Sequence, residues 1–179
     1  MKRLLLPLTL LLFLVLEGTA MDFLPKEWLL ADYYIIPHWV LVVLTYIAIF
    51  YDFDSTYYCV LYGIIFGLLI DLIYTDMLGV YMFTYGLVIY ITHGLKKLLH
   101  SNVFVTLLLT MIAIVTADTT IYVLYSFIQA TEMVWESYIL MSLLPTLAAN
   151  VLFALVLYPL LPGKLQEWSE SQLKRSNAI

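Results

Sequence analysis

The chain reads as an all-α polytopic membrane protein with six transmembrane helices, and three observations predict it. Of its 179 residues 64% are hydrophobic and only 12% charged, and the mean hydropathy is +0.97. A soluble fold of this length has no interior large enough for so much apolar surface, so the bilayer must be the solvent. The apolar residues also fall into six runs with short polar connections, and seven of the eight basic residues lie on one side once the runs are alternated across a membrane.

In chain order the runs are residues 4–20, 37–50, 57–74, 78–95, 103–128 and 138–161. The first carries Lys2 and Arg3 before it and Gly18-Thr19-Ala20 at its end, a pattern that would also suit a cleaved signal peptide. Glu17 beside that site and the bulky residues Pro25 to Trp28 after it favour a retained span. The second run is short; extended to residues 35–51 as a helix it would cover about 25 Å, enough when its ends are covered by neighbours. The fifth is long enough to tilt. In the sixth, Pro145 frees a backbone carbonyl that a neighbouring helix must satisfy. Residues 1–163 thus form one six-helix domain. Residues 164–179 form a short cytoplasmic tail, either a surface helix using Leu165, Trp168 and Leu173 or a solvated end.

Lys2, Arg3, Lys96, Lys97, Lys164, Lys174 and Arg175 mark the cytoplasmic side, so both termini lie inside and only Lys26 lies opposite. Trp28, Tyr33, Tyr34, Trp135 and Tyr138 outside, with Tyr51, Tyr57 and Tyr58 inside, suit interfacial belts and are read as anchors. A net charge of −5 excludes a nucleic-acid partner, which requires a dense basic surface. Cys59 is the one cysteine, so no internal disulfide forms, and in its apolar run it reads as a small packing residue. His93 and His100 near the inner rim and His38 at the opposite face show no metal-ligand spacing and read as solvated. No nucleophile elbow, phosphate loop or zinc-type His-Glu pair is present, which leaves catalysis, cofactors and metals without sequence support.

The most informative run is YCVLYGIIFGLLIDLI, residues 58–73. Cys59, Gly63, Gly67 and Asp71 recur every four residues and so stack in one stripe, where another helix can approach closely and cover the acid. A lone carboxylate inside a span costs roughly 2.5 to 3.5 kcal/mol on insertion scales and turns toward protein or water. Glu17, Asp71 and Asp118 each lie about 14 residues from the cytoplasmic start of their helix, and so share a layer about 20 Å above the inner boundary. Two readings stay open: a shared acidic site with at least one proton, or three separate carboxyl groups hydrogen-bonded to a Tyr, a Thr or backbone. The candidate donors are Thr19, Thr75, Thr116, Thr119 and Thr120. Asn150, beside Ala148 and Ala149 near the midplane of the sixth run, is expected to bond across to another helix.

Gly63-xxx-Gly67-Leu68-Leu69-x-Asp71 followed by Gly79, and later Pro145-xxxx-Asn150 with Tyr158-Pro159-Leu160, resemble the MreD family of rod shape-determining membrane proteins. The resemblance covers nearly the whole chain. It implies a non-enzymatic component of the elongation machinery in the bacterial cytoplasmic membrane, binding MreC and indirectly linking MreB filaments to the peptidoglycan synthases, a glycosyltransferase and a penicillin-binding protein. It also implies a fold like the S-component, the substrate-binding subunit of energy-coupling-factor vitamin transporters. On this reading Cys59, Gly63, Gly67, Asp71 and Gly79 shape a groove for a partner's transmembrane helix, and Pro145, Asn150 and Pro159 serve helix packing. A vitamin-transporter subunit, or a small proton-coupled carrier using Glu17, Asp71 and Asp118, are the competing readings.

Overall fold

A computed structural model describes residues 4–23, 33–99 and 102–176, with side chains described for 4–20, 33–99 and 102–171. Expectations that fall on Lys2, Arg3, residues 24–32 and His100 lie outside the described residues, as do the side chains of Asp22, Leu173, Lys174 and Arg175. The described chain is all helical: α1 Leu5–Phe23, α2 Trp39–Phe50, α3 Tyr58–Tyr74, α4 Val80–Lys96, α5 Val103–Phe127, α6 Trp135–Leu157 and α7 Pro162–Ser176. Each apolar run contains one helix, and no boundary differs by more than four residues (161 expected against 157 at the end of α6). α5 and α6 are each long and apolar enough to cross a bilayer, whereas Leu5–Ala20, α2 and α3 are apolar but shorter.

α2 is the core of the bundle. All of Val40 to Phe50 are buried, and the first turn to the last touches protein on every side. A helix apolar all round is expected in this position, since no face needs water. Its 12 residues rise only about 18 Å, so it falls short of the expected 35–51 helix. The cause is local: Pro37 has no N–H, and residues 33–38 form neither helix nor strand before the helix begins at Trp39. We call the end of the bundle that holds the α2 and α4 N-termini the upper end.

α3 and α4 form an antiparallel hairpin whose axes approach closely because two glycines lie between them. A Cβ on Gly67 would sit 2.6 Å from the Tyr81 carbonyl oxygen and one on Gly63 3.2 Å from that of Tyr85. The turn between the helices closes through Gly79, whose φ of +99° is a left-handed conformation that favours glycine.

At the lower end the tail is docked and not a solvated end. Leu165 of α7 is buried, and Ser169 Oγ donates to the Tyr51 carbonyl at 2.8 Å, satisfying an acceptor left free where α2 stops. Tyr158, in the turn that contains Pro159, packs its ring edge-to-face on Tyr46 and Phe50 of α2.

Candidate functional site

Several polar residues inside the bundle satisfy helix N-termini that start away from water. The first N–H groups of a helix have no intrahelical acceptor, and a buried donor without a partner costs roughly 1 to 3 kcal/mol. Asp71, 0% exposed on α3, supplies that acceptor for α4. Its Oδ2 accepts from the Gly79 and Met82 amides at 2.9 and 3.0 Å and its Oδ1 from the Tyr81 amide at 2.9 Å. A carboxylate at this place also complements the positive end of the helix dipole. The whole stripe follows the same seam: Cys59 meets His93, Gly63 and Gly67 meet the α4 backbone, and Asp71 caps it. The helix seated on the expected groove is therefore this chain's own α4, which corrects the assignment of that surface to a partner.

Glu17 repeats the device across a longer sequence distance. From the last turns of α1 its Oε2 accepts from the Val40 amide at 2.8 Å, at the start of α2. Threonines play no part in these caps: Thr75 donates to the Asp71 and Met77 carbonyls, and Thr19 and Thr120 bond back to their own helices. Each of the three acids has its own partners: Glu17 the Val40 amide, Asp71 the amides at the start of α4, and Asp118 the side chains of Tyr138 and His38.

The strap before α2, residues 33–38, is held by α6 at every second residue, Tyr34, Ile36 and His38. The Tyr34 amide donates to the Met141 carbonyl at 2.9 Å. Met141 is the residue four before Pro145, whose missing N–H leaves that carbonyl without its helical donor. A π turn at Ile139–Leu143 opens the helix at the same place. Thr146 Oγ1 next accepts from the Ile36 amide at 3.0 Å and donates to the Tyr34 carbonyl at 3.3 Å. Asn150 completes the series, accepting from the His38 amide at 2.7 Å and donating to the Ile36 and Thr146 carbonyls, both at 2.8 Å. Both Pro145 and Asn150 thus act on the non-helical strap and not on a neighbouring helix.

Asp118 differs from the two capping acids in pairing with side chains. Tyr138 donates to its Oδ2 at 2.6 Å, and His38 Nε2 lies 3.3 Å from its Oδ1. His38 Nδ1 lies 2.9 Å from the Tyr85 hydroxyl. His38, expected to be solvated, is 0% exposed because it closes the top of α2 from inside the bundle. Asp118 forms part of the wall of an open cavity of about 670 Å³ between the strap, α4, α5 and α6. Tyr138, expected as a belt residue, is instead buried and stacked on Tyr122 at 3.9 Å between ring centroids.

A second polar cluster lies at the lower end. Asp52 Oδ2 accepts from the Cys59 amide at 2.7 Å and so caps α3, while Lys96 donates to the Asp52 carbonyl. His93 Nδ1 is 3.8 Å from Cys59 Sγ, and Asp52, Cys59 and His93 offer ligand-type atoms within 4.8 Å of one another. Cys59 therefore has a histidine neighbour that its apolar run does not announce, and His93 is buried where a solvated ring was expected. The signal was present only as helical register, since Cys59 and His93 are 34 residues apart on facing sides of the hairpin.

Comparison with known proteins returns one consistent answer. The family model described as rod shape-determining protein MreD matches residues 2–167. The rod shape-determining protein MreD of Bacillus subtilis is 31% identical over 165 residues, covering 92% of this chain and 93% of the relative. No solved structure gives a significant match. The matched region contains the glycine seam, the Asp71 cap and the strap contacts of Pro145 and Asn150, and the chain belongs to the MreD family of rod shape-determining membrane proteins.

Proposed function

We propose that this protein is a non-catalytic scaffold of the elongation machinery in the bacterial cytoplasmic membrane. It binds MreC and helps couple MreB filaments to peptidoglycan synthesis, contributing to rod shape. Membership of the MreD family across nearly the whole chain is the observation that carries this reading. The membrane arrangement that accompanies it has six transmembrane helices with both termini in the cytoplasm, residues 1–163 as the membrane domain, and a fold like the S-component of energy-coupling-factor transporters. Short helices such as α2 fit a spanning bundle because their ends are finished by protein, with Glu17 above and Ser169 below.

Because α4 occupies the Gly63/Gly67 stripe, a substitution there acts first on the hairpin. A partner-binding test must therefore monitor folding and association separately. The direct test is affinity purification of the tagged protein from its native membrane, with mass spectrometry of what accompanies it. Recovery of MreC with wall-synthesis proteins is the expected result. Recovery of energy-coupling ATPases without them would replace the scaffold with a transporter subunit.

A further inference from the structure

The cavity at the upper end has a wall chemistry that selects among ligand classes. Its volume of about 670 Å³ is of the size that holds small molecules, roughly 300 to 1,000 Å³. Four tyrosines of α4, α5 and α6 line it, Tyr81, Tyr122, Tyr125 and Tyr138, together with Tyr34 of the strap. Asp118 and Glu132 supply two carboxyl groups, and the described lining residues include no Lys or Arg.

The two carboxyl groups, with no basic residue among the described lining, decide the sign of the site. Tyr138 donates to one oxygen of Asp118 at 2.6 Å and His38 Nε2 lies 3.3 Å from the other, so the carboxyl group is held in place at the cavity wall. An anionic ligand is repelled by both acids, and a neutral one leaves their charge uncompensated. A cation gains from the carboxylates and from the negative faces of the aromatic rings together. The residual space among Ile36, Ile121 and Met133 asks for carbon next to that charge.

We propose that this cavity binds an organic cation, a ligand whose ammonium group is directed to Asp118 and Glu132 and whose apolar part rests among the tyrosines. The proposal does not depend on the scaffold reading. The ammonium has two possible sources, an aminophospholipid headgroup or a soluble amine.

The test uses the full chain purified in detergent, titrated calorimetrically with 2-phenylethylammonium and with its neutral counterpart 2-phenylethanol. The expected result is saturable binding of the cation, at least about tenfold weaker for the alcohol and for Asp118→Asn. Glu132→Gln and Tyr125→Leu, which leave the His38 network in place, are expected to weaken the cation in the same direction, so the answer stands even if Asp118→Asn fails to fold. No binding of the cation, equal binding of the alcohol, or unchanged affinity in the folded variants overturns the proposal. Repeating the titration in nanodiscs of phosphatidylglycerol, with and without phosphatidylethanolamine, separates the sources. Competition by the ethanolamine lipid identifies a headgroup ligand, and its absence a soluble one.

Discussion

α2 and α6 are both strongly apolar helices, yet they meet different solvents. In α2, 11 of 12 residues are buried, while only 22% of the most apolar window of α6 is. α6 is 23 residues long, matching the thickness of a hydrocarbon core, and its outward residues such as Leu152 and Val156 need no partner in lipid. α2, which begins just after Pro37, is about 18 Å long and surrounded by other helices, which provide an acceptor at its start and a donor at its end. Apolar composition therefore specifies burial in something that is not water. The polar residues specify whether that something is protein: Glu17, His38, Thr146, Asn150 and Ser169 all gather where α2 and its strap begin and end.

If this contrast is correct, substitutions should hurt in proportion to their part in closing the protein-solvated half, and the largest effect belongs to the glycine seam. Gly67→Leu places a side chain on the Tyr81 backbone, which has no rotamer by which to yield, and should cost about 3 kcal/mol or more. Loss of monodisperse protein in size-exclusion chromatography checks it, with Leu68→Ala on the adjacent outward position as the tolerated control. Asp71→Ala follows, because three amides lose their acceptor at once; roughly 3 kcal/mol is expected, read as a lowered melting temperature in detergent. Asn150→Leu should cost about 2 kcal/mol by freeing the His38 amide and the Ile36 carbonyl. Proteolysis near the strap should rise with it. At the far end of the scale, Phe104→Ala on the outward face of α5, 84% exposed, should change stability by about 0.5 kcal/mol or less. A large loss there would show that the outward face is also packed against protein.

The stripe on α3 was legible in sequence because a spacing of four stacks residues on a helix, and the close approach it implies is what the hairpin makes. Which helix approaches was not legible, since periodicity describes one surface and never its occupant. The freed carbonyl before Pro145 was likewise foreseeable from proline chemistry, yet its donor, the Tyr34 amide, comes from a stretch with no helical or strand signature. His38 was misread because its partners Asp118 and Tyr85 are 80 and 47 residues away, and a histidine beside Pro37 at a span boundary resembles a surface residue. The docking of α7 was hidden for a related reason: its polar composition conceals a narrow buried edge at Leu165 and Ser169.

The central claim is that two of the three acids, Glu17 and Asp71, finish helix N-termini. Amide hydrogen exchange on Asp71→Asn, read by mass spectrometry against the unaltered protein, tests it most directly. Asparagine keeps one acceptor oxygen and loses the other, so the account predicts that a peptide covering residues 79–83 exchanges about tenfold faster or more, while α5 is unchanged. Unaltered exchange at 79–83 would contradict the account and return Asp71 to the status of an unassigned buried acid.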